Sequence, residues 1–591
     1  MPFQSDIPLD RKVKRPVLRG FALFKRQVQG SAILFILLSA VVGWCAGIMA
    51  ALLGHFSHLM QSFFYGFSPD LRLSALTTVP LWRLLALPLG GLVLAVVRLA
   101  FPRRTRAPID VIESSALYGG RIPARDTIVV ALQTFISNGF GASVGLEAAY
   151  AQMGGGLASK IGQWLDLKRS QLRVLVGAGA GAAIGAAFGA PLTGSFYAFE
   201  IVLGAYSPAT LAPVAAASLA AVVAAALMHA EPFVIPPPAH PNIALTGYFL
   251  YALLGVVCAG AGIVIIKLVA NMEGLVRRLP IGEVWRPVIG GLCLIPLAWA
   301  LPQVLSSGHG AMQLDFEQHP FVTTLALIFL LKICASVLSL AFGFRGGMFF
   351  ASLYLGSMLG AGYAQIVNDI YPAAHLEVLT AALVGMAGLA VAIVGGPMTM
   401  SLMVLEVTHD FALTAAVVTA ALCCSTIIRD KFGYSFSTWR LHLRGEAVRN
   451  PRDIGWMRSM TATLLMRKNP AQMSEHASIA ELREHIPLGS TSRVFLTDGA
   501  GDYRGIVPTA QAYIETLDVD TPLSQLAKQT EVYVRPDMDV SAILRVFEDF
   551  GVDDLAVVDE DHRLLGMLSE KYVNRRYAEE MERSQREFFG E

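Results

Sequence analysis

Long apolar stretches separated by short polar breaks dominate the first three quarters of the chain. Stretches 31–53, 81–100, 247–270, 323–342 and 411–428 come close to the roughly 20 residues that an α-helix needs to cross the hydrocarbon core, so each predicts a spanning helix. Between residues 129 and 227, and again between 343 and 394, the apolar runs are cut repeatedly by Gly and Pro. Such breaks predict helices that stop inside the bilayer, which is tolerated where the freed backbone lines a cavity or is covered by protein. After residue 445 the pattern becomes charged and mixed. A polar linker over 446–456 precedes a soluble module that begins near Met460.

Composition agrees with membrane residence, because 54% of the 591 residues are apolar and only 15% are charged, too little polar surface for an ordinary soluble chain. The net charge of +1 gives no footing for a nucleic-acid partner. Its distribution matters more. Arg11, Lys12, Lys14, Arg15, Arg19, Lys25 and Arg26 precede the first span and by the positive-inside rule hold that end in the cytoplasm. No short apolar core lies near Met1 to suggest a cleavable signal peptide. All six cysteines sit among apolar neighbours, which predicts buried packing and neither disulfide nor metal chemistry. The twelve histidines are scattered, His240 and His319 each directly before a proline, and no nucleophile–base pair or phosphate loop is present. No metal site and no enzyme activity are expected.

The apolar region contains a repeat. Residues 145–157 can be laid on 347–359 without a gap, so that Gly145, Ala149, Gly154 and Leu157 match Gly347, Ala351, Gly356 and Leu359. Downstream, Gly189, Pro191, Thr193, Ser195 and Glu200 match Gly395, Pro397, Thr399, Ser401 and Glu406. Matches in the same order at nearly the same separation predict a duplicated half. Membrane proteins built from two halves place their site at the repeat interface, where broken helices aim their N-termini at the substrate. Gly145 and the pair Gly346–Gly347 would each begin such a half-helix, and the unpaired N–H groups and positive dipole end favour an anion.

Glu147 is the acidic residue of the apolar run 135–157, and an ionisable group at that depth is a functional candidate by default. At the start of a half-helix its carboxylate can occupy the anion site and leave when protonated, which makes it a gate. A carboxylate that merely caps the helix is the structural alternative. Glu200 and Glu406, each nine residues after a proline of the repeat, suggest a shared structural job on freed backbone. Lys332 and Arg345 are expected to pack or to snorkel at an interface.

The motifs resemble the CLC family of chloride channels and proton-coupled chloride transporters, from about residue 31 to 445. Gly145, Leu146, Glu147, Ala148 and Ala149 look like the family's Gly-Arg-Glu-Gly-Pro gate segment. The Gly/Ala run 177–194 is similar to its most recognisable stretch, Gly346–Ala351 resembles Gly-x-Phe-x-Pro, and Leu405, Glu406, Val407 and Thr408 resemble Leu-Glu-Met-Thr. The resemblance implies an all-α polytopic membrane protein, a homodimer with one pore per subunit formed between two inverted repeats. Met348 and Phe349 would bind the anion through backbone N–H groups beside Leu146, and Glu147 would be the gating glutamate. Chloride is the implied ion, the lipid bilayer the surroundings, and the inner or plasma membrane, with both termini cytoplasmic, the location.

Four departures qualify it. Arg106, Ala107, Pro108, Ile109 and Asp110 stand at the usual Gly-Ser-Gly-Ile-Pro segment, so Ala107 or Pro108 replaces the anion-binding serine. The pore-lining tyrosine aligns with Ser437 when the register is anchored on Arg444 and Gly445, or with Tyr434 after a slip of one turn. The internal proton glutamate aligns with Ile201, a lost proton-pathway position and a channel-like feature. The gate's Arg and Pro are Leu146 and Ala149. Gated, channel-like anion transport is therefore expected, with a proton-coupled chloride or nitrate antiporter as the alternative and a non-conducting regulatory protein as a remote one.

The soluble module carries its own repeat, since Asp498 to Asp559 and Gly505 to Gly566 have equal spacing. Helix-like 478–486 and strands 493–497 and 505–507 recur as 541–550, 554–558 and 566–568. This resembles a tandem CBS pair, a small α/β cytoplasmic module. Its nucleotide signature, a Ser or Thr followed by an Asp, is absent after Gly566 and after Gly505, so no cofactor is expected and adenine nucleotide binding is disfavoured. The expected organisation is an N-terminal segment 1–30, a membrane domain 31–445, a linker 446–459, repeats 460–516 and 517–580, and a tail 581–591.

Overall fold

The computed structural model describes residues 25, 27–101, 107–230, 243–318, 320–442 and 460–589. Arg11, Lys12, Lys14, Arg15, Arg19, Arg26, Arg106, His240, His319, Arg444, Gly445 and the polar linker lie outside them. The chain divides into two compact units, Met1–Asp453 and Ile454–Glu591.

The first unit is helical and runs twice through one series of lengths. The first half comprises α1 (Ala32–Tyr65), α2 (Ala86–Ala100), α3 (Val111–Leu117), α4 (Ala124–Gly139), α5 (Glu147–Trp164), α6 (Arg169–Phe188), α7 (Pro191–Tyr197) and α8 (Pro208–Leu227). The second half answers with α9 (Leu245–Arg278), α10 (Arg286–Ala300), α11 (His309–Gln318), α12 (Val322–Ala341), α13 (Phe349–Ile370), α14 (Val378–Val394), α15 (Pro397–Thr408) and α16 (Phe411–Lys431), followed by α17 (Phe436–His442). Helices α1 and α9 have 34 residues each, about 51 Å at 1.5 Å per residue, which exceeds a hydrocarbon core of about 30 Å, so each tilts or projects beyond it.

Each apolar stretch picked from the sequence overlaps a helical segment long and apolar enough to span a bilayer, the second being α2 together with the 3-10 turn Leu81–Leu85 that leads into it. Two further such helices, α6 and α8, fall where repeated Gly and Pro suggested only broken segments. Packing explains α6. A methyl at Gly154 would meet the Gly179 carbonyl oxygen and one at Gly179 the Gly154 oxygen, so α5 and α6 cross backbone to backbone. Gly356 and Gly385 do the same for α13 and α14. The glycines serve close helix packing rather than breaks. In α8, Pro208 occupies the first turn and Pro213 lies inside the helix. Cys258 and Cys424 are buried as expected, but Cys293 and Cys334 are exposed, each on an apolar helix whose outer face carries hydrophobic side chains.

The halves also cap each other. Glu200, in a π-helical continuation of α7 over Ala198–Leu203, accepts from the backbone N–H groups of Met398 (3.1 Å) and Thr399 (2.8 Å) and from the Thr399 hydroxyl (2.7 Å) at the start of α15. Glu406 reciprocates on α7, accepting from Leu192 (2.6 Å), Thr193 (2.7 Å) and the Thr193 hydroxyl (2.6 Å). Each carboxylate satisfies N–H groups that the first turn of a helix leaves open.

The second unit holds two α/β layers. In one, β2 (Gln472–Ser474) runs parallel to β3 (Arg493–Thr497), which pairs antiparallel with β4 (Tyr503–Pro508); the intervening helix, Ile479–His485, starts with a Ser478–Glu481 capping box. In the other, β5 (Tyr533–Val534), β6 (Asp554–Val558) and β7 (Leu564–Ser569) repeat this order. Boundaries within the module differ from expectation. Strand β1 (Arg467–Lys468) pairs with β7, so the start of the first repeat completes the second sheet. Leu523 packs into the first layer's core, and the expected tail continues a helix over Glu570–Phe589. Edge pairing and core contacts, which strand spacing does not encode, set these limits.

Candidate functional site

Helices α5 and α13 start at equivalent points of the two halves, and the segments leading into them meet there. Gly145 and Gly347 form an antiparallel bridge, with N–H···O distances of 3.0 Å from Gly145 to Gly347 and 3.2 Å in return. Glu147 is the first residue of α5 and reaches across. Its Oε1 accepts the backbone N–H of Phe350, in the first turn of α13, at 2.6 Å. Among the described residues no side-chain cap hydrogen bond is made at Met348, and this carboxylate sits at the N-terminus of α13, where N–H groups and dipole favour negative charge. Its Oε2 is buried without a hydrogen-bond partner among the described residues. A methyl on Gly145 or Gly347 would run into the carboxylate, which is the physical need for glycine at both positions.

Glu147 borders a cavity of about 130 Å³, and its neighbour Leu146 borders a larger one of about 790 Å³. These adjacent residues thus stand between the two spaces. Met348, Phe349 and Ser437 line the smaller cavity with Glu147, room for several waters or a small ion. Tyr434 instead bonds His442 Nδ1 (3.2 Å) and packs on Trp439. Leu146 lines the larger space with Arg72, Ser307 and His309.

Ala107 is not among the residues that line the smaller cavity; Asp110 is. The reason is local. Asp110 caps α3, its Oδ1 accepting the Glu113 N–H at 2.8 Å. Ile109 is buried, its N–H held by Asp126 (3.1 Å) and its carbonyl by Gln152 (3.0 Å), so the chain turns onto the cavity at the cap. The pattern Asp110-x-x-Glu113, a helix-start signature, was the signal available in the sequence. Ile201 is buried in the apolar core within the π-helical turn and does not line the cavity.

Lys332 does not snorkel. It is fully buried, and its Nζ donates to the carbonyls of Val304 (3.0 Å) and Ser306 (2.7 Å). The Ser306 hydroxyl accepts from Asn138 (3.1 Å), which also donates to the Val144 carbonyl (2.8 Å). A polar chain therefore runs from Lys332 to the loop that leads into Glu147. Arg345 lines the smaller cavity, anchored by its backbone N–H on Ser137 Oγ (2.9 Å).

Residues 90–429 match the family model described as voltage gated chloride channel, and residues 514–579 match the CBS domain model. The voltage-gated ClC-type chloride channel ClcB of Escherichia coli O157:H7 (strain EC4115 / EHEC) is 27% identical over 400 residues, which is 67% of this chain and 95% of ClcB. Among solved structures, a slow cyanobacterial Cl−/H+ antiporter superposes with a TM-score of 0.61 at 20% identity, over 69% of this chain and 97% of the other. A eukaryotic CLC transporter superposes with a TM-score of 0.58 at 16% identity, over 91% and 98%.

Proposed function

The chain belongs to the voltage-gated chloride channel (CLC) family, and from that premise we propose that it carries small inorganic anions, chloride foremost, by a gated and channel-like route with Glu147 as the gate. One observation carries this reading, the Glu147 carboxylate seated at the N-terminus of α13. An ionised carboxylate there competes with a permeating anion for the same N–H groups. Protonation removes the charge, and with it most of a charge-assisted hydrogen bond of about 1.5–3 kcal/mol. The freed Phe350 N–H, with those of Met348 and Phe349 before it in the chain, is then available to the anion. Ile201 offers no protonatable group and Ser437 is a small plug, which favours unaccompanied anion flow. A proton-coupled antiporter, the activity named for the cyanobacterial neighbour, is the alternative.

The basic N-terminal residues favour cytoplasmic termini in an inner or plasma membrane, and the family favours a homodimer. In the CBS-like module a ligand-free, dimer-stabilising or mechanical role is preferred over nucleotide binding. The test is anion efflux from liposomes. Glu147→Gln, a mimic of the protonated gate, raises basal flux and weakens its pH dependence; an unchanged pH dependence removes Glu147 from the gate.

A further inference from the structure

The hydrogen bond that seats Glu147 comes from Phe350, in the first turn of α13. N–H groups there have no intrahelical acceptor to fix their direction, so the aim of this one depends on how the Phe350 side chain is held. That side chain is fully buried and belongs to an aromatic column. The ring of His309, at the start of α11, stacks on it with centroids 3.3 Å apart and planes 15° from parallel. Phe188, at the end of α6, lies nearly parallel to Phe350 as well, at 6.1 Å and 10°. It also meets Phe349 (5.1 Å), which in turn meets Tyr197 (6.2 Å). His309 borders the larger cavity, Phe349 and Tyr197 the smaller one, so the column runs beside the gate from one space to the other. We infer that His309 is a positioning residue for the gate: stacked on Phe350, it keeps the Phe350 N–H aimed at the Glu147 carboxylate and so sets the pH at which the gate is released.

The imidazole is itself held in place. Its Nδ1 and the Ser307 hydroxyl share a hydrogen bond of 2.6 Å, which orients the ring. Ser74 Oγ accepts the N–H groups of Gly310 (3.0 Å) and Ala311 (3.2 Å) and anchors the start of α11. An aromatic pair stabilises beyond its buried area, and the Phe350 hydrogen bond favours the ionised carboxylate over the protonated one. Loss of the stack loosens that bond, and the gate is then released at a higher pH. Charged and titratable groups surround both partners. Arg72 and Lys332 of α12 act on His309; His55 and His58 of α1, Asp70 and His229 border the same cavity; Asp315 of α11 bonds Tyr354 of α13. Around Glu147 stand Tyr150 on its own helix, Tyr197 of α7, Asp110, Arg345 and Arg440 of α17. All of these are retained when only residue 309 is changed, and His309→Phe separates the ring face from the ring nitrogens.

The inference rests on Glu147 being the gate, and the experiment separates the two ideas. Chloride efflux from liposomes carrying the full-length protein is recorded across a pH series for His309→Ala, His309→Leu and His309→Phe, each with and without Glu147→Gln. Leucine fills the space without offering a ring, so it reports on the stack if the alanine variant does not fold. His309→Ala and His309→Leu move the midpoint of the flux–pH curve to higher pH, by up to about one unit, the shift that loss of one aromatic stack can produce. His309→Phe restores the wild-type midpoint. In the Glu147→Gln background the three replacements leave the pH profile where Glu147→Gln alone puts it. A wild-type midpoint in both His309→Ala and His309→Leu overturns the role of His309, as does a His309→Phe curve displaced as far as theirs, or a displacement that persists in Glu147→Gln. Each of these leaves Glu147 standing as the gate. A Glu147→Gln profile identical to wild type overturns both.

Discussion

At the scale of single residues, the site depends on side chains that are missing as much as on those present. Gly145 and Gly347 leave the space that the Glu147 carboxylate occupies. Gly145→Ala is therefore expected to push the carboxylate off the Phe350 N–H and raise basal anion flux toward that of Glu147→Gln, read in the same efflux assay; flux at the wild-type level would show that the carboxylate finds another seat. Ala107 is a contrasting case. Alignment brings it to the anion site, but the cavity wall is built from Asp110. Ala107→Ser should leave the chloride-to-nitrate permeability ratio unchanged, and a shift in that ratio would return the register to Ala107. Asp110 was readable as a helix cap, whereas its exposure to the cavity depended on Ile109 being held by Asp126 and Gln152, from α4 and α5.

Among elements, the two halves are joined by exchange. Glu200 serves the start of α15 and Glu406 the start of α7, so each proline-led helix is completed by the other half. The repeat in the sequence matched these glutamates to each other, but it held no information that they reach across, because side-chain partners more than 190 positions apart are chosen by packing. Glu406→Ala leaves first-turn N–H groups of α7 and the buried Thr193 hydroxyl without their acceptor, an expected cost of about 1–3 kcal/mol. Its measurable signs are a lower unfolding temperature and unaltered anion selectivity. A selectivity change at unaltered stability would give Glu406 a role in transport. The π-helical turn at Ala198–Leu203 has no counterpart in α15, an asymmetry that the matched residues of the two copies did not reveal.

For the whole molecule the open question is whether anions move alone. With Ile201 buried in the apolar core and Ser437 on the cavity wall, the reversal potential under combined chloride and pH gradients is expected to follow chloride alone. A steady shift with the pH gradient, in the sense of proton counter-movement, would move the protein to the antiporters. Sequence alone determined the membrane class, the duplicated halves and the α/β repeat of the soluble module. Hydropathy, Gly/Pro spacing and strand alternation are local properties, and each is written into contiguous residues. Only the tertiary structure decided that α6 and α8 run unbroken, that Lys332 is buried on two carbonyls, that β1 completes the second sheet, and that Asp110 and Glu147 share one cavity. Those outcomes depend on which backbone approaches which, and that is settled by close packing between segments far apart in the chain.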